Sequence, residues 1–426
     1  MKKRILTLLL ALVFVSCSFA SLVQAQNQDQ DSDQDSRQVY INPHLSITPG
    51  DGVKLSEIYD GGEVVLDQED FVHKEDYEKY LKALGLPVPS EESSDTYDID
   101  PAKASNVTAT GLYKASLGSK NNAIQSFYIN GSDIYICQNY NNVTYNGTTY
   151  SGNCVLLSRC TLSGNTFTRV DDMLLRGVGH GQTLDMYTYG GVTYLLISCG
   201  SYQYTTDSGA TAYWSTQIGR IQYSANTVVS NSNIKRLIDL NYSNDTNTSF
   251  SGVKRVDAAL SSDKTKLLIW KRNQNDENQF SVYDFSVINQ QLSSAPGYTV
   301  SFQNNTTLQN ACSATVTNPS YMPGSVQGVE LSNASGGVHA MYVSSGNEAK
   351  SQNLRIVKFH STGNYVDHVN IQDTGVWTLY GLSSSYNAVA EIEGIKISGN
   401  DLQFVLVNTG NKSQQVIAYI PKSSLN

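Results

Sequence analysis

A short polar motif recurs five times along this 426-residue chain, each time at the start of a strand-like run of alternating apolar residues. The polar residues that open these runs are Gln125, Gln182, Asp257, Gln327 and Glu393. Successive motifs lie 57, 75, 70 and 66 residues apart, which is too far for one hairpin and too regular for chance. A signature repeated in fixed order indicates a repeat architecture, in which each unit buries its apolar faces against its neighbours.

A second apolar strand with a tight turn follows each motif, in the segments VLLSRCTLSGN, IGRIQYSAN, FSVYDFSVIN, LRIVKFHSTGN and QVIAYIPKSS. Small sheets of this kind can bury both faces when they pack radially about an axis. Five units therefore predict an all-β fold, a five-bladed β-propeller. The last repeat stops after its second strand, so we expect the segment ATGLYKASLGSK before the first repeat to join it. The N- and C-terminal strands would then close one blade.

The first 25 residues have the order of a secretory signal peptide: a charged start, an apolar run and small residues that end at Ala25. We expect cleavage after Ala25 and a secreted, extracellular product, in free form or associated with the cell surface. A lipoprotein processed at Cys17 is the alternative. The apolar run is too short to span a bilayer and no second run follows, so we expect no transmembrane segment in the mature chain.

Residues 26–105 are an acidic, low-complexity arm. Residues 26–103 contain 19 acidic and 6 basic residues, whereas residues 104–426 contain 19 acidic and 20 basic residues. The arm begins with a polar stretch that we expect to be disordered, and residues 74–85 predict a short amphipathic helix. It is interpreted as a spacer, an inhibitory pro-segment or a solubilising arm. The propeller, residues 106–426, is nearly neutral, which argues against nucleic acid as a partner.

In a propeller the first strand of each unit lines the central channel, so the five motif residues are expected to converge at one mouth of it. Other polar residues near the motifs are His180, Lys254, Arg255 and Glu391. Together they could bind a polyhydroxylated ligand by hydrogen bonds. Asp257 and Glu393 could instead bind a hard cation such as Ca²⁺, or form a catalytic carboxylate pair. The remaining alternative is that the ring only satisfies backbone groups, as His180 would by contacting a carbonyl.

Tyrosine is abundant, with 27 Tyr against 11 Phe and 3 Trp. One tyrosine-rich loop contains Tyr140, Tyr145 and Tyr150, and a second contains Tyr202, Tyr204, Tyr213 and Trp214. Flat aromatic rings with a polar tip suit sugar rings, although tyrosine can also simply replace phenylalanine on a wet β-sheet surface. We expect these loops to join first strands to second strands, at the face opposite the polar mouth. The two faces are therefore alternative binding sites.

No hydrolase motif, phosphate loop or metal-binding spacing is present in the sequence, so binding is favoured over catalysis and no cofactor is indicated. Five cysteines follow the signal peptide: Cys137, Cys154, Cys160, Cys199 and Cys312. An odd number in a secreted chain allows two bridges at most, and we expect buried thiols or one bridge without a redox role.

Several segments resemble the helveticin J family, the large, heat-labile bacteriocins of lactobacilli. The segments are HGQTLDMY (180–187), IGRIQY (218–223), VDAALSSDKTKLLIWKR through FSVYDFSVIN (256–289), GSVQGVEL (324–331), MYVSSG (341–346) and AEIEGIKISGNDLQFVLV (390–407). The resemblance implies killing of related Gram-positive cells, and hence binding to envelope polymers, but it carries no catalytic residues. The five-bladed pattern is also similar to receptor-binding propellers of Gram-positive phages, which recognise wall teichoic acids.

Three functions follow as expectations. The first is a secreted, monomeric bacteriocin that binds a cell-wall glycopolymer or teichoic acid through the propeller. The second is a lectin or adhesin that binds the same polymers without killing. The third and least favoured is a hydrolase of envelope glycopolymers, which would need His180 or Glu393 as a catalytic group.

Overall fold

The computed structural model describes residues 104–205, 209, 211–386 and 388–425. The signal peptide, nearly all of the arm and its predicted helix at 74–85 lie outside these residues and stay predictions. The described residues form an all-β fold whose strands follow the five motifs as five repeat units.

The strand and helix bounds, in chain order, are as follows. Two leading strands are β1 (Ser105–Thr108) and β2 (Thr110–Ser116). Unit 1 contains β3 (Ile124–Asn130), β4 (Asp133–Tyr145), β5 (Thr148–Ser163) and β6 (Thr166–Arg176). Unit 2 contains β7 (Leu184–Tyr189), β8 (Val192–Thr205), β9 (Thr211–Ile221), β10 (Val228–Ser230) and β11 (Lys235–Ile238). Unit 3 contains β12 (Val253–Leu260), β13 (Lys266–Asn273), β14 (Asn278–Asp284), α1 (Phe285–Ser294), β15 (Thr299–Ser301), α2 (Thr306–Asn310) and β16 (Cys312–Thr317).

Unit 4 contains β17 (Val326–Ser335), β18 (Val338–Ser345), β19 (Arg355–His360) and β20 (Tyr365–Gln372). Unit 5 contains β21 (Ala390–Ser398), β22 (Asp401–Asn408) and β23 (Gln415–Pro421). Short 3₁₀ helices lie at Asn231–Asn233, Leu240–Tyr242, Glu348–Lys350, Val376–Tyr380 and Lys422–Ser424.

The first three strands of every unit pair antiparallel in sequence order. The segment before the first unit joins the last unit as the sequence predicts, because β2 pairs antiparallel with β23 of unit 5. The same strand pairs in parallel with β6, so units 5 and 1 share one nine-stranded sheet. Strand β1 adds in parallel to the outer edge of unit 4, beside β20.

The predicted two-strand repeat is incomplete, because each unit has a further strand between the two that the sequence pattern indicated. The apolar segments interpreted as second strands belong to third strands: β5, β9, β14, β19 and β23. In unit 3 the segment FSVYDFSVIN ends β14 and then begins α1, which Asp284 caps by accepting a hydrogen bond from the backbone of Ser286. The extra strand reverses the chain once more in every unit.

Hydrophobic layers fill the space between each pair of consecutive units, including units 5 and 1. Strand β13 shows why, since its side chains alternate between two layers. Leu267 and Ile269 face unit 2, whereas Leu268 and Trp270 face unit 4. The first strands also contact one another in a closed cycle, from β3 through β7, β12, β17 and β21 back to β3. The polar motifs therefore begin strands that surround one axis.

The five cysteines among the described residues are free, and four of them are buried. Burial raises the pKa of the Cys137 and Cys160 thiols to about 12, so they stay protonated and unreactive at neutral pH. Of the two expectations from the sequence, buried thiols are therefore confirmed.

Candidate functional site

The five motif residues meet at one end of the axis, hereafter the motif end. They are all buried, with at most 8% of each residue exposed. Gln125 Nε2 donates to Glu393 Oε1 at 3.1 Å, and Gln182 Nε2 donates to Gln327 Oε1 at 3.1 Å. Because Gln182 and Gln327 belong to units 2 and 4, the second bond connects units that are not consecutive.

Irregular backbone positions these side chains. In units 1, 4 and 5 the motif residue lies within a register shift between the first and second strands. A β-bulge leaves one residue unpaired and changes the direction of its side chain. The residue that follows each motif residue is small, namely Ser126, Thr183, Ala258, Gly328 and Gly394. The first strands can therefore approach closely around the axis.

Arg255 is the buried cation of this ring, with 4% of the residue exposed. Its Nε and Nη2 lie 3.0 and 2.9 Å from Asp257 Oδ2, and Nη2 also donates to Gln182 Oε1. Burial lowers the pKa of Arg255 and raises that of Asp257, while their mutual attraction opposes both shifts. Arg255 therefore neutralises one carboxylate and connects it to a motif amide.

The two glutamates of unit 5 lack a cation this close. Glu391 Oε1 accepts from Gln327 Nε2 at 2.8 Å. Burial and the neighbouring charge of Glu391 raise the pKa of Glu393 well above its usual value, although hydrogen bonds from Gln125 and Gln182 act in the opposite direction. Glu393 Oε2 and Gln125 Oε1 are buried without a hydrogen-bond partner among the described residues. Within those residues no group of three His, Cys, Asp or Glu side chains is placed to bind a metal.

The second tyrosine-rich loop is the hairpin between β8 and β9, and it lies beside this ring. Tyr204 and Trp214 stack with ring centroids 5.0 Å apart and planes 2° apart. Arg255 Cζ lies 4.1 Å from the Trp214 ring centroid. The expectation that the aromatic loops and the polar mouth lie on opposite faces is therefore wrong. The extra strand in each unit brings this hairpin back to the motif end.

The other two aromatic residues predicted as a site belong to the same hairpin. Tyr202 pairs with Trp214 in the β8–β9 ladder, and its hydroxyl accepts from Gln274 Nε2 of unit 3 at 3.5 Å. Tyr213 contributes its carbonyl to a contact with His180. All four aromatic side chains are half-buried. Their role in binding remains a prediction.

His180 is held by its surroundings. Its Nδ1 lies 3.1 Å from the Tyr213 carbonyl oxygen and 3.1 Å from Asn139 Nδ2, and its ring packs against Trp214. Burial and then Arg255 lower the pKa of His180 to about 4. The imidazole is therefore neutral at physiological pH and satisfied by a carbonyl, which is one of the two roles that the sequence left open. Lys254 takes no part in the ring and pairs with Asp276 at 2.6 Å.

A second ring, polar at four of its five positions and absent from the sequence predictions, lies three residues after each motif residue. Its members are Tyr128, Asp185, Leu260, Glu330 and Lys396. Lys396 Nζ lies 2.9 Å from Asp185 Oδ2 and 3.0 Å from Glu330 Oε2. Lys264 Nζ lies 3.1 Å from Asp185 Oδ1 and 5.3 Å from the Tyr128 ring centroid. Because the five residue types differ, only the constant offset from the motifs could have indicated this ring.

Unusual ionisation accompanies the second ring. Burial raises the pKa of Glu330 to about 7. Burial alone would also raise the pKa of Asp185, but Lys396 and Lys264 lower it below its usual value. The two carboxylates therefore share two lysines unequally, with Asp185 as the permanently charged member.

The described residues thus define an all-β repeat protein with two polar rings on its axis and an aromatic hairpin at one end. The chain belongs to the bacteriocin helveticin-J family, whose model matches residues 103–419. This confirms the resemblance drawn from the sequence. No curated protein sequence matches the chain. Among the described residues, no helix has the length and apolarity needed to cross a membrane.

Solved structures that match this chain include the tail fiber of a Staphylococcus aureus phage, at 14% identity and a TM-score of 0.47, with 73% of this chain and 52% of that chain covered. This chain thus spans about half the length of the tail fiber. An exo-β-1,3-galactanase from Phanerochaete chrysosporium matches at 11% identity and a TM-score of 0.37, covering 74% of this chain and 63% of that one. An α-L-arabinofuranosidase from Podospora anserina matches at 11% identity and a TM-score of 0.36, covering 75% of this chain and 98% of that one.

Proposed function

We propose that the chain is a secreted bacteriocin that acts against related Gram-positive bacteria and binds a cell-wall glycopolymer at its motif end. Membership of the bacteriocin helveticin-J family supports the antibacterial role. The observation that carries the binding role is the Tyr204–Trp214 stack beside the buried polar ring. A flat aromatic surface next to hydrogen-bonding groups suits a sugar ring.

We also propose that the five repeat units are the blades of a five-bladed β-propeller. The closed cycle of first strands supports this count, as do the hydrophobic layers between consecutive units. The β2–β23 pair would be the closure of the ring. A crystal structure with any other number of units around the axis would contradict the count.

The charges around the stack favour sugar rings over phosphates as the contacted groups. Arg255 is neutralised by Asp257, and both Lys254 and Arg272 pair with Asp276. Cations already paired in this way gain less from a phosphate than unpaired ones would. On a teichoic acid, the contact would therefore be with a glycosyl substituent.

Binding is tested with the mature chain and purified walls of related lactobacilli, before and after chemical removal of teichoic acid. We expect saturable binding that Tyr204→Ala weakens about tenfold, a loss of about 1.4 kcal/mol, whereas Tyr204→Phe keeps most of it. Tyr321→Ala, between β16 and β17 and 53% exposed, is the matched control and should bind as the wild type does. Equal binding by Tyr204→Ala and the wild type would place the site elsewhere.

A lectin or adhesin that binds without killing is the second candidate, because the motif end offers binding groups, whereas the buried His180, with a pKa of about 4, is too weak a base for catalysis near neutral pH. Viability counts of a panel of related indicator strains separate the two. Loss of viability supports the bacteriocin, and wall binding with unchanged viability of every strain supports the lectin.

Secretion as a monomer after cleavage at Ala25 belongs to the same proposal. N-terminal sequencing of the product from culture supernatant should begin at Gln26, and light scattering should give the monomer mass. A product retained in the cells, or one that starts at Cys17, would contradict this part.

A further inference from the structure

A polar groove on the outer edge of the fold lies away from the rings and from the aromatic hairpin. It lies where α1, β15 and α2 cross from unit 3 to the outer strand of unit 2, with β15 paired to β11. Its volume is about 520 Å³. Small-molecule sites typically measure about 300–1,000 Å³, so this groove has room for a disaccharide.

Hydrogen bonds fix the walls of the groove. Lys235 Nζ donates to the Ala295 carbonyl at the end of α1 at 2.5 Å. Asn305 caps α2 by accepting from the Leu308 backbone, and its Nδ2 donates to the Ser301 carbonyl at 3.1 Å. Ser301 Oγ donates to Asp239 Oδ2 at 2.5 Å. The groove is therefore largely preformed and needs little ordering to receive a ligand.

The lining has no charged residue and few apolar ones. Two charged groups beside it, Lys235 and Asp239, are engaged by the wall bonds. By contrast, the side chains of Gln291, Asn304 and Thr306 make no hydrogen bond within the described part of the chain, so their amides and hydroxyl remain available to a ligand. Next to Pro296 and Thr299 of the lining, Tyr298 is 51% exposed.

We propose that this groove binds a neutral sugar, with the Tyr298 ring as the stacking surface and the amides of Gln291 and Asn304 as hydrogen-bonding groups. Amides and hydroxyls without a cation match hydroxyl groups and give no advantage to phosphate or carboxylate. Tyr298 adjoins Thr299 of the lining in sequence and is half-exposed, and an aromatic ring turned toward a bound sugar would add contact with its apolar face. This site goes beyond the proposed function and would give each molecule a second attachment point to a glycan.

Two attachment points change the behaviour on a polymer. A ligand with repeated sugars can occupy the groove and the motif end at once, so weak binding at each site gives strong attachment overall. The full chain should therefore bind intact walls far more tightly than it binds any disaccharide.

The test uses the mature chain in calorimetric titrations with lactose, maltose and chitobiose, and with inorganic phosphate and glycerol phosphate as anionic probes. We expect millimolar binding of at least one disaccharide and none of the anions. Tyr298→Ala should weaken it about fivefold, within the range of one aromatic contact. Asn304→Gly removes the amide while permitting the left-handed backbone at φ 58°, and should also weaken binding without loss of fold.

Tyr321→Ala is the control for removal of an exposed tyrosine, and thermal unfolding confirms that each variant folds. Tyr204→Ala removes disaccharide binding at the motif end, so binding that persists in Tyr204→Ala and is weakened by Tyr298→Ala belongs to the groove, and the two proposals can fail separately. The absence of binding for all three disaccharides overturns the groove proposal. So does affinity unchanged by both Tyr298→Ala and Asn304→Gly, or preferential binding of glycerol phosphate.

Discussion

Arg255 is the residue on which the axis and the aromatic hairpin both depend. Its guanidinium bonds to Asp257 and Gln182, and it lies 4.1 Å from the Trp214 and 5.0 Å from the Trp270 ring centroid. A planar guanidinium can form a carboxylate pair and aromatic contacts at the same time, which an ammonium group cannot match. The orientation of Trp214 at the surface thus follows from an ion pair inside the ring.

We expect Arg255→Gln and Asp257→Asn each to lower the free energy of unfolding by about 3–5 kcal/mol, because each leaves an uncompensated buried charge. Urea unfolding measures the loss. The Trp214 environment should change as well, visible as a shift of tryptophan fluorescence in the folded variants.

Lys254→Gln is the matched control, since Lys254 precedes Arg255 but pairs with Asp276, whose side chain is 60% exposed. Surface pairs of this kind contribute about 0–1 kcal/mol. A loss for Arg255→Gln as small as that for Lys254→Gln would show that the buried pair does not hold the ring.

At the scale of the strand, close approach at the axis is the main constraint. A Cβ on Gly394 would lie 2.9 Å from the Gln125 carbonyl oxygen and from Ser126 Cα in unit 1. A Cβ on Gly328 would lie 3.0 Å from Gly394 Cα. These neighbours are backbone atoms of paired strands, so they cannot move aside as a flexible side chain would.

Gly394→Ala should therefore lower the free energy of unfolding by about 1–3 kcal/mol, the usual cost of overpacking. Gly297→Ala is the control, because a Cβ there meets no atom within 4 Å, and its effect should stay within about 0.5 kcal/mol. Equal urea midpoints for the two variants would mean that the first strands are less tightly packed than described.

The sequence predicted the first strand of every unit and the pairing of the segment before unit 1 with unit 5, because both depend on local patterns. Apolar alternation after a polar residue marks β3, β7, β12, β17 and β21 without reference to the rest of the fold. The strands between, such as β4 with its DIYICQNYNNVTY, carry polar residues in their exposed half and were missed. One uncounted strand reverses direction, so the error moved the aromatic hairpin to the wrong face.

The candidate site was predictable only in part, for a related reason. A shared residue type reveals Gln125, Gln182 and Gln327, and their convergence follows once first strands surround an axis. No shared type connects Tyr128, Asp185, Leu260, Glu330 and Lys396. Their contacts depend on which long side chain reaches across the axis, and this is a property of packing between units rather than of any one strand.

At the scale of the whole molecule, the second ring connects all five units. Asp185 of unit 2 contacts Lys264 of unit 3 and Lys396 of unit 5, and accepts from the Leu260 backbone at 3.0 Å. Glu330 adds unit 4, and the Tyr128 ring beneath Lys264 adds unit 1. A substitution or a change of charge in this network therefore affects the packing of all five units around the axis rather than the stability of one sheet.

Protonation of Glu330 at mildly acidic pH should stabilise the second ring, and with it the folded chain. The unfolded chain releases the Glu330 proton near its ordinary pKa of 4.5, whereas the folded chain holds it up to a pKa of about 7. Folding therefore binds a proton at Glu330 between these values, and the Glu330 contribution to the free energy of unfolding falls as pH rises from 4.5 to 7. The raised pKa of Glu393 acts in the same direction, whereas Asp185 below its ordinary pKa of 3.8, and His180 between its lowered pKa of about 4 and its ordinary pKa of 6.5, act in the opposite direction.

The stability advantage of the wild type over Glu330→Gln, measured by urea midpoints, should thus decrease from pH 5 to pH 7.5, because the amide cannot titrate while His180 and Glu393 titrate alike in both proteins. Asp276→Asn, which removes an exposed carboxylate at the motif end, should keep the wild-type slope. The total decrease in the free energy of unfolding due to Glu330 is about 1.4 kcal/mol for each unit by which its folded and unfolded pKa values differ. The decrease is smaller where Asp185 and the lysines change their own interactions as Glu330 titrates. A Glu330→Gln slope equal to that of the wild type would show that the ring keeps Glu330 charged, with Lys396 as its permanent partner.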